Sequence, residues 1–394
     1  MKDQKDVRVA IVGMGGMGKK YASLIDSRKI PGLCLAAVVG RSRTSQEWAA
    51  ENLGNGAAVY PDEDALYACA DTFDAVLITT PHRLHPDMTV RAFRAGKHVF
   101  CEKPAGVTLS DARRMSQAAE EARRMAASPS CSSPSSLLRP PVYAMMFHQR
   151  TYPKHRRIRE ILESGRLGRI SRVQLENSRF FRTAFYHRSG NWRSSWKGEG
   201  GGALINQGSH LLDFWQWLFG LPETVYADIP FGKYNDFAVD DEATILMDYP
   251  GKMTGTFILS TQEGSYLERL EIAGTKGRLL MENDELTISV YSQDTREYAG
   301  SAGCTERQQL TETVTRESFP PFTDAYDLML QNFSDAIHHG APLIAPGEEG
   351  EKSMALINAA YLSAWKGTKV SLPFDPEEYR RHLTAAAEQE GNDG

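Results

Sequence analysis

Val7-Arg8-Val9-Ala10-Ile11-Val12, followed at once by Gly13-Met14-Gly15-Gly16-Met17-Gly18, is the stretch of sequence that decides the fold. The first six residues are mostly apolar and β-branched, which predicts a strand buried on both faces of a parallel sheet. In the G-x-G-x-x-G spacing, Gly13 permits a tight turn, Gly15 a close approach to a pyrophosphate, and Gly18 close helix packing. With a helix expected over 19–27, the stretch predicts a dinucleotide-binding turn; the alternative is a glycine-rich turn that holds no ligand.

The second predicted strand, Leu33–Val39, ends where a dinucleotide-binding domain contacts the adenosine ribose. In sites that prefer NAD, an Asp or Glu here accepts from the 2′-hydroxyl, but this chain carries Gly40-Arg41-Ser42-Arg43. No carboxylate repels a 2′-phosphate, Arg41 or Arg43 can pair with it, and Ser42 can donate a hydrogen bond. The pattern favours NADP over NAD, unless these arginines are only solvated loop charges.

Two further strand ends place polar groups where the nicotinamide is expected. An apolar strand over 75–79 ends in Thr80-Pro81-His82-Arg83-Leu84-His85, and ligands of open parallel sheets lie beyond the carboxyl ends of strands. A helix over 90–95 and a strand over 98–101 lead to Glu102-Lys103-Pro104, where proline restricts the lysine backbone. Such a lysine suits a positioned ammonium group, although the tripeptide alone fits a surface lysine equally well. A helix over 108–125 and a Ser/Pro-rich stretch over 126–141, expected to be a flexible insertion or linker, follow.

The composition excludes several classes of protein. A chain of 394 residues suggests two or three domains, and 45 Lys and Arg against 50 Asp and Glu give a net charge of −5, unlike a nucleic-acid binder. The five scattered cysteines form no C-x-x-C pair, which favours a reducing cytoplasm and disfavours a zinc site. The charged first residues do not resemble a signal peptide, and no apolar run is long enough to span a membrane.

Motifs in a recurrent order continue through the second half of the chain. They are Phe147-His148-Gln149-Arg150, Ser164-Gly165-Arg166-Leu167-Gly168, Trp192-Arg193, Gly200-Gly201-Gly202-Ala203-Leu204-Ile205-Asn206-Gln207-Gly208-Ser209-His210-Leu211-Leu212-Asp213, Asp240-Asp241 and Gly274-Thr275-Lys276-Gly277. With the earlier motifs, this order resembles the Gfo/Idh/MocA family of NAD(P)-dependent sugar and cyclitol oxidoreductases. The resemblance implies an α/β fold with an N-terminal Rossmann dinucleotide-binding domain (1–125), the insertion or linker (126–141), and a C-terminal α+β domain (142–394). The last domain would carry a mostly antiparallel open sheet and contribute to a homo-oligomer, a dimer or tetramer.

The residue pattern of the second domain agrees with this expectation. Residues 154–164 have helical periodicity, and residues 170–178 alternate as a strand does. Strands near 243–247 and 254–259 and helices over 324–339 and 351–365 follow. After a flexible turn expected over 200–202, a helix over 203–219 places Asn206, His210 and Asp213 on or near one face. Asn206 and His210 can therefore converge on one ligand, although a lone histidine on a helix is more often structural.

The resemblance implies roles for the residues of the site. Lys103 and His210 are the catalytic pair: His210 exchanges the hydroxyl proton, since imidazole titrates near neutral pH, and Lys103 stabilises negative charge on the reacting oxygen. Many family members carry Asp where this chain has Asn206, whose amide binds a hydroxyl but relays no proton. The change assigns proton transfer to His210, or to Lys103 if burial lowers its pKa. Expected substrate contacts are Lys103, Arg150, Tyr186, His187, Trp192, Arg193, Asn206 and His210, although the aromatic residues equally fit an ordinary core. Expected cofactor contacts are Gly13, Met14, Gly15, Gly16, Met17, Gly18, Arg41, Ser42, Arg43, Thr80, Pro81, His85, Glu102 and Lys103.

These expectations define one leading function and two alternatives. The leading hypothesis is an NAD(P)-dependent oxidoreductase that acts on a ring hydroxyl of a sugar, glycoside or inositol, with oxidation of a glycoside at C3 as a specific case. One alternative is a non-catalytic sensor that binds the cofactor, which the presence of both Lys103 and His210 disfavours. The other is a reductase of a different C=O or C=N substrate. A metal enzyme is disfavoured, because His82, His85 and His98 lack ligand spacing.

Overall fold

A computed structural model of the protein describes residues 5–128, 140–190, 192–301 and 310–390. The chain forms two compact units, one of the described residues up to Thr151 with Thr323–Met354, the other of Tyr152–Phe322 with those from Ala355. The Ser/Pro-rich stretch predicted over 126–141 falls largely outside the described residues. The domain limit expected at 142 differs from this division, because Tyr143–Met145 joins the sheet of the first unit and a later segment belongs to the same unit.

The helices and strands are numbered here in chain order. The strands are Val7–Val12 (β1), Leu33–Val39 (β2), Ala58–Tyr60 (β3), Ala75–Ile78 (β4), His98–Cys101 (β5), Tyr143–Met145 (β6), Ile170–Asn177 (β7), Thr224–Asp228 (β8), Glu242–Asp248 (β9), Thr254–Ser260 (β10), Glu268–Gly274 (β11), Gly277–Glu282 (β12), Glu285–Tyr291 (β13), Glu312–Ser318 (β14) and Val370–Ser371 (β15). The helices are Gly16–Asp26 (α1), Arg43–Asn52 (α2), Glu63–Ala68 (α3), His85–Arg94 (α4), Leu109–Ala126 (α5), Pro153–Glu163 (α6), Ala184–Arg188 (α7), Ala203–Asn206 (α8), Gly208–Phe219 (α9), Thr295–Ser301 (α10), Ala325–His339 (α11), Gly350–Lys366 (α12) and Pro376–Glu390 (α13).

The first unit is built on a parallel six-stranded sheet with the order β3-β2-β1-β4-β5-β6. This is the order of a dinucleotide-binding Rossmann sheet: β2 and β3 are added on one side of β1, and β4, β5 and β6 on the other. Both central strands are almost wholly buried, as the apolar run Val7–Val12 predicts. The switch point therefore lies at the carboxyl ends of β1 and β4, where the glycine turn and Thr80 follow.

Two helices of the first unit begin earlier than the sequence predicts. Helix α1 begins at Gly16, three residues before the expected position 19. Helix α4 begins at His85 and not near 90, because Pro86 in its first turn has a backbone already suited to helix. In the second unit, the residues after Pro373, for which no element was predicted, form α13, which buries Tyr379 and Leu383.

The second unit is built on a nine-stranded sheet with the order β14-β13-β12-β11-β7-β10-β9-β8-β15. Every neighbouring pair is antiparallel except β7 and β10, which are parallel. Helix α9 packs closely on this sheet: a Cβ added at Gly255 of β10 would lie 2.5 Å from the Trp215 ring. The sheet confirms the expected α/β fold with a mostly antiparallel second domain.

The turn expected over 200–202 is present before α8, and two of its glycines are closely packed. Gly201 has φ of +145°, and a Cβ there would lie 2.3 Å from the hydroxyl oxygen of Tyr361. A Cβ on Gly202 would lie 1.9 Å from the backbone oxygen of Asp240. The buried Asp240 carboxylate accepts hydrogen bonds from the backbone N–H groups of Gly202 (2.9 Å) and Leu204 (2.6 Å) and from the Tyr361 hydroxyl (2.6 Å). The start of α8 is therefore held from outside its own helix.

Candidate active site

In the glycine turn of the first unit, residues 13–18, Gly13 and Gly18 are in close contact with neighbouring atoms, as expected. Gly13 has φ of +103°, and a Cβ on it would lie 2.9 Å from the Thr80 side chain. A Cβ on Gly18 would lie 1.9 Å from the backbone oxygen of Gly13. Both positions require glycine because the protein itself leaves no space for a side chain.

Gly15 and Gly16 differ from these, because a Cβ on either would meet no atom within 4 Å. Gly15 caps α1 with φ of −75°, a value open to any residue, and no side chain caps this helix or adds an acidic group to its first turn. The N–H groups and positive dipole end of α1 are therefore left to a ligand. A pyrophosphate matches this arrangement in charge and in its need for close backbone approach. The residues present thus fit a dinucleotide.

The loop after β2 carries two arginines, of which Arg43 forms an ion pair within α2 and Arg41 interacts electrostatically with Glu63. Ser42 caps α2 by accepting from the Ser45 backbone N–H (3.1 Å). Arg43 pairs with Glu47 at 2.7 Å in an exposed contact within α2. Arg41 is exposed and precedes this helix N-terminus. Of the three residues, Arg41 has the position best suited to an added phosphate.

Glu102 and Lys103 follow β5 directly, and the glutamate is held by its neighbours. The Tyr21 hydroxyl donates to one Glu102 oxygen, and the Lys103 backbone N–H donates to the other at 3.2 Å. Burial raises the pKa of Glu102, opposed by the charge of Lys103 and by the Tyr21 hydrogen bond. The Lys103–Pro104 peptide bond is cis. Lys103 therefore leaves β5 with its backbone N–H held by the Glu102 carboxylate.

His85 is fully buried and links the two loops that follow β4 and β5. Its Nδ1 lies 2.8 Å from the Pro104 backbone oxygen, and its Nε2 lies 2.7 Å from the Thr80 backbone oxygen. Burial lowers the pKa of His85, while both backbone contacts act in the opposite direction. Because both ring nitrogens contact backbone oxygens, His85 joins these two loops, and its direct contact with the cofactor stays a prediction.

Arg150 is a buried residue of the first unit. Its side chain is 2% exposed, and its guanidinium contacts the Ile344 backbone oxygen and a Glu349 carboxylate oxygen, both at 3.3 Å. The group is thus part of the interior of the first unit. The contacts described for Arg150 are thus an interior ion pair and a backbone hydrogen bond, and its contact with a substrate stays a prediction.

In the second unit, polar side chains surround Asn206 at the end of α8. The Tyr186 hydroxyl oxygen accepts from three groups: the Arg193 guanidinium (2.8 Å), the Asn206 amide (3.1 Å) and the Gln207 amide (3.2 Å). The Arg193 guanidinium stacks over the rings of Tyr186 and Trp192, 4.6 and 4.7 Å from their centroids. The structure thus brings Tyr186, Trp192, Arg193 and Asn206 into one cluster, while their contact with a substrate stays a prediction.

A buried carboxylate in this cluster, Glu199, was not predicted from the sequence. It is 3% exposed and accepts from the Asn206 amide (2.5 Å) and from the Ser194 backbone N–H (2.7 Å). The Arg193 guanidinium lies 3.9 Å away. Its partners, Ser194 and Asn206, lie five and seven residues away, and no motif marks them, so no sequence signal pointed to its burial.

His210 lies in the first turn of α9, four residues after Asn206, and is partly exposed. His187, another expected substrate contact, places its Nδ1 2.6 Å from the Ser194 hydroxyl, and burial lowers its pKa. Its Nε2 is buried without a hydrogen-bond partner among the described residues. The helix expected over 203–219 is thus divided at Gln207 into α8, which ends with Asn206, and α9, which carries His210 in its first turn.

No three His, Cys, Asp or Glu side chains group as metal ligands within the described residues. In the same ranges, no helix combines the length and apolar character that crossing a membrane requires. Cys34, Cys69 and Cys101 are free thiols, whereas Cys131 and Cys304 lie outside the described residues.

The fold and the glycine turn define a dinucleotide-dependent oxidoreductase of the Rossmann class with a separate α/β unit. Residues 7–128 match the NAD-binding Rossmann fold of an oxidoreductase family, and residues 159–372 match the C-terminal alpha/beta domain of that family. The chain belongs to this family, the Gfo/Idh/MocA oxidoreductases, which confirms the resemblance of its motifs.

Known relatives include dehydrogenases of cyclitols and glycosides. The chain is 26% identical over 382 residues to inositol 2-dehydrogenase of Rhizobium meliloti, covering 93% of this chain and 99% of the other. It is 33% identical over 218 residues to D-glucoside 3-dehydrogenase of Escherichia coli, covering 55% of each. Its fold is similar to that of the WlbA dehydrogenase of Bordetella pertussis, solved with NADH and UDP-GlcNAcA, at a TM-score of 0.75 and 22% identity over 94% of this chain and all of the other.

Proposed function

We propose that the protein transfers a hydride between a nicotinamide cofactor and a ring hydroxyl or ketone of a sugar, glycoside or inositol. The observation that carries the proposal is the cluster of hydroxyl, amide and guanidinium groups around Asn206, which matches the donors and acceptors of a polyol. The bare N-terminus of α1 supports the cofactor half. The names of the inositol and glucoside dehydrogenases among the relatives support the substrate class.

The cofactor would be held by the glycine turn, with the N–H groups of α1 at the pyrophosphate. When bound, it supplies the hydride acceptor or donor. Thr80, Pro81, Glu102 and Lys103 follow the carboxyl ends of β4 and β5, the edge at which Rossmann sheets bind ligands. We assign cofactor contacts to the glycine turn and to these loops.

The chemical step in our proposal divides between two side chains. In alcohol oxidation, His210 accepts the hydroxyl proton, because an ordinary imidazole is largely neutral at pH 7 and can bind it. The Lys103 ammonium donates a hydrogen bond to the same oxygen and stabilises the negative charge that develops there. In the reverse direction His210 returns the proton. Asn206, Tyr186, Trp192 and Arg193 would bind the neighbouring hydroxyls and the apolar face of the ring.

We further propose a preference for NADP and, among substrates, for a glycoside oxidised at C3. The first rests on exposed Arg41 at the N-terminus of α2, where the chain carries no carboxylate. The second rests on the aromatic residues near Asn206, which can hold an aglycone, and on the glucoside relative. Arg41→Ala should lower affinity for NADPH about 10-fold relative to NADH. Arg43→Ala is the matched control, since Arg43 already pairs with Glu47.

The decisive experiment measures absorbance at 340 nm with NAD or NADP and a panel of sugars, inositols and aryl glycosides. His210→Ala should abolish turnover and retain cofactor affinity, whereas His339→Ala, on the exposed end of α11, should behave as the unmodified protein. Tight cofactor binding without turnover of any compound would refute the proposal and favour a sensor.

The oligomer is also a proposal. Tyr226 of β8 and Leu246 of β9 are directly paired across the strands and 37% and 48% exposed, on the open face of the nine-stranded sheet. An apolar pair on such a face favours contact with a second copy of the chain. Leu246→Glu should shift the mass measured by light scattering from a dimer or tetramer to the monomer. An unchanged mass would show that this face is not the interface.

A further inference from the structure

We infer that Glu199 is a positioning residue, which fixes the Asn206 amide as a hydrogen-bond acceptor and so prepares the site for a hydroxyl donor of the substrate. The inference rests on the proposed function, and it deepens it by assigning a role to a buried carboxylate outside the catalytic pair. Both residues belong to the second unit.

The first step of the argument is the orientation of the amide. An Asn side chain can turn over and exchange its N–H₂ and its oxygen, which makes it a donor in one state and an acceptor in the other. A carboxylate only accepts, so the group facing Glu199 at 2.5 Å must be the amide nitrogen. The second N–H bond is directed to the Tyr186 hydroxyl oxygen at 3.1 Å. Both hydrogens are thereby used, and any further hydrogen bond of this amide is accepted by Oδ1.

The second step is the orientation of Glu199 itself. Its other oxygen accepts from the Ser194 backbone N–H at 2.7 Å, and Ser194 has φ of +52°. This non-glycine residue in the left-handed region is held in place by its contacts. The carboxylate is therefore bound at both oxygens, one to backbone and one to Asn206, and at 3% exposure it has little access to water. Only a side chain with two accepting oxygens can bind both the Ser194 backbone N–H and the Asn206 amide.

The consequence concerns the ligand. A substrate hydroxyl carries a proton that an acceptor can hold, whereas a carbonyl or an ether oxygen carries none. Because Glu199 fixes the amide, Asn206 always presents its Oδ1 to the ligand, and it therefore favours a hydroxyl over a carbonyl or an ether oxygen. The negative charge of the carboxylate also lies one amide away from the substrate, and it polarises that amide so that its oxygen accepts more strongly.

Substitution of Glu199 by glutamine makes a sharp test, because Gln offers one oxygen and one N–H₂. In Glu199→Gln, one of the two donors, Ser194 N–H or Asn206 N–H₂, must face another donor. Asn206 is then released or reversed. We expect kcat/KM for the polyol to fall about 10- to 100-fold, while cofactor affinity stays within twofold.

The exchanged pair Glu199→Gln/Asn206→Asp restores the two contacts at position 199, and the Tyr186 hydroxyl, which accepts from Asn206, would instead donate to the new carboxylate at position 206. The Gln oxygen accepts from Ser194, the Gln N–H₂ donates to the Asp carboxylate, and position 206 again presents an acceptor to the ligand. Asn206→Asp alone places two carboxylates in contact and should lose activity at neutral pH, recovering part of it as pH falls and one of them binds a proton. The double variant should exceed both single variants in kcat/KM at least fivefold.

The outcomes separate the two proposals. An unchanged Glu199→Gln variant, or a double variant whose losses simply multiply, overturns the positioning role while turnover of the unmodified protein stands. Absence of turnover in the unmodified protein with every polyol refutes the proposed function and overturns this inference with it. Rescue in the double variant supports the role, because a merely structural glutamate would not be restored by a substitution at position 206.

Discussion

Substitution of Gly15 by alanine should separate cofactor binding from folding. A Cβ at Gly15 meets no atom within 4 Å, and its φ of −75° is open to alanine. Alanine is a poorer helix cap than glycine but restricts the unfolded chain, and these effects are each below about 1 kcal/mol and opposite in sign. The free energy of unfolding of Gly15→Ala should therefore stay within about 1 kcal/mol of the original value.

The methyl group would occupy the space through which a pyrophosphate approaches α1. Loss of one charge-assisted hydrogen bond at this helix end costs about 1.5–3 kcal/mol, which lowers cofactor affinity about 10- to 100-fold. Gly18→Ala is the matched control: its Cβ would lie 1.9 Å from the Gly13 oxygen, so the backbone must move. That variant should lose about 3 kcal/mol of folding free energy or more.

Two measurements decide the matter: denaturant unfolding without cofactor, and fluorescence titration with NADPH and NADH. A Gly15→Ala variant that binds both cofactors as tightly as the original protein would refute the assignment of this helix end. A loss of more than 2 kcal/mol in its unfolding free energy would show that the space around Gly15 is not open.

Three further predictions concern stability and pH. Tyr361→Phe removes one of three donors to the buried Asp240 carboxylate and should lower the unfolding free energy by about 1.5–3 kcal/mol, with a smaller kcat/KM; an effect below 0.5 kcal/mol in urea unfolding would contradict it. Burial lowers the pKa of His98 to about 4, from about 6.5 in the unfolded chain. The free energy of unfolding should therefore be full above pH 6.5 and fall by about 3 kcal/mol toward pH 4, because the unfolded chain binds the proton first. His98→Asn should reduce this dependence of the unfolding free energy on pH. Lys154→Met removes one of two cations from the buried Glu268 carboxylate, at 2.7 Å, and leaves Arg179 at 2.6 Å; it should cost about 1.5–3 kcal/mol, whereas a change of less than about 0.5 kcal/mol in thermal or urea unfolding would show that Arg179 suffices.

The elements that could be predicted from the sequence are those whose burial shows in residues a few positions apart. The apolar run of β1, the spacing of the glycines and the alternation in β7 each report burial through residues a few positions apart. The start of α4 was misplaced because the expected helix was read from apolar spacing, whereas Pro86 sets its first turn.

The parts that the sequence did not reveal depend on partners far along the chain. Arg150 pairs with Glu349, which lies 199 residues further along the chain, so its burial cannot be predicted from its neighbours in sequence. The ring nitrogens of His85 contact the backbone oxygens of Pro104 and Thr80, and the Pro104 contact comes from a different loop. No short-range pattern encodes which partner a buried polar group meets, since that depends on how distant elements are brought together.

The hydrogen bonds that link Tyr361 to the turn before α8 have a consequence for biosynthesis. Tyr361 lies 159 residues after Gly202, whose backbone N–H contacts its hydroxyl at 3.3 Å, and 121 residues after Asp240. While the nascent chain is still on the ribosome, the segment that carries Asn206 and His210 emerges long before the residue that holds its turn in place. Translation must pass position 361 before this turn is complete, so a messenger truncated upstream of that codon would yield a chain with its dinucleotide turn encoded and its second-unit turn unsupported.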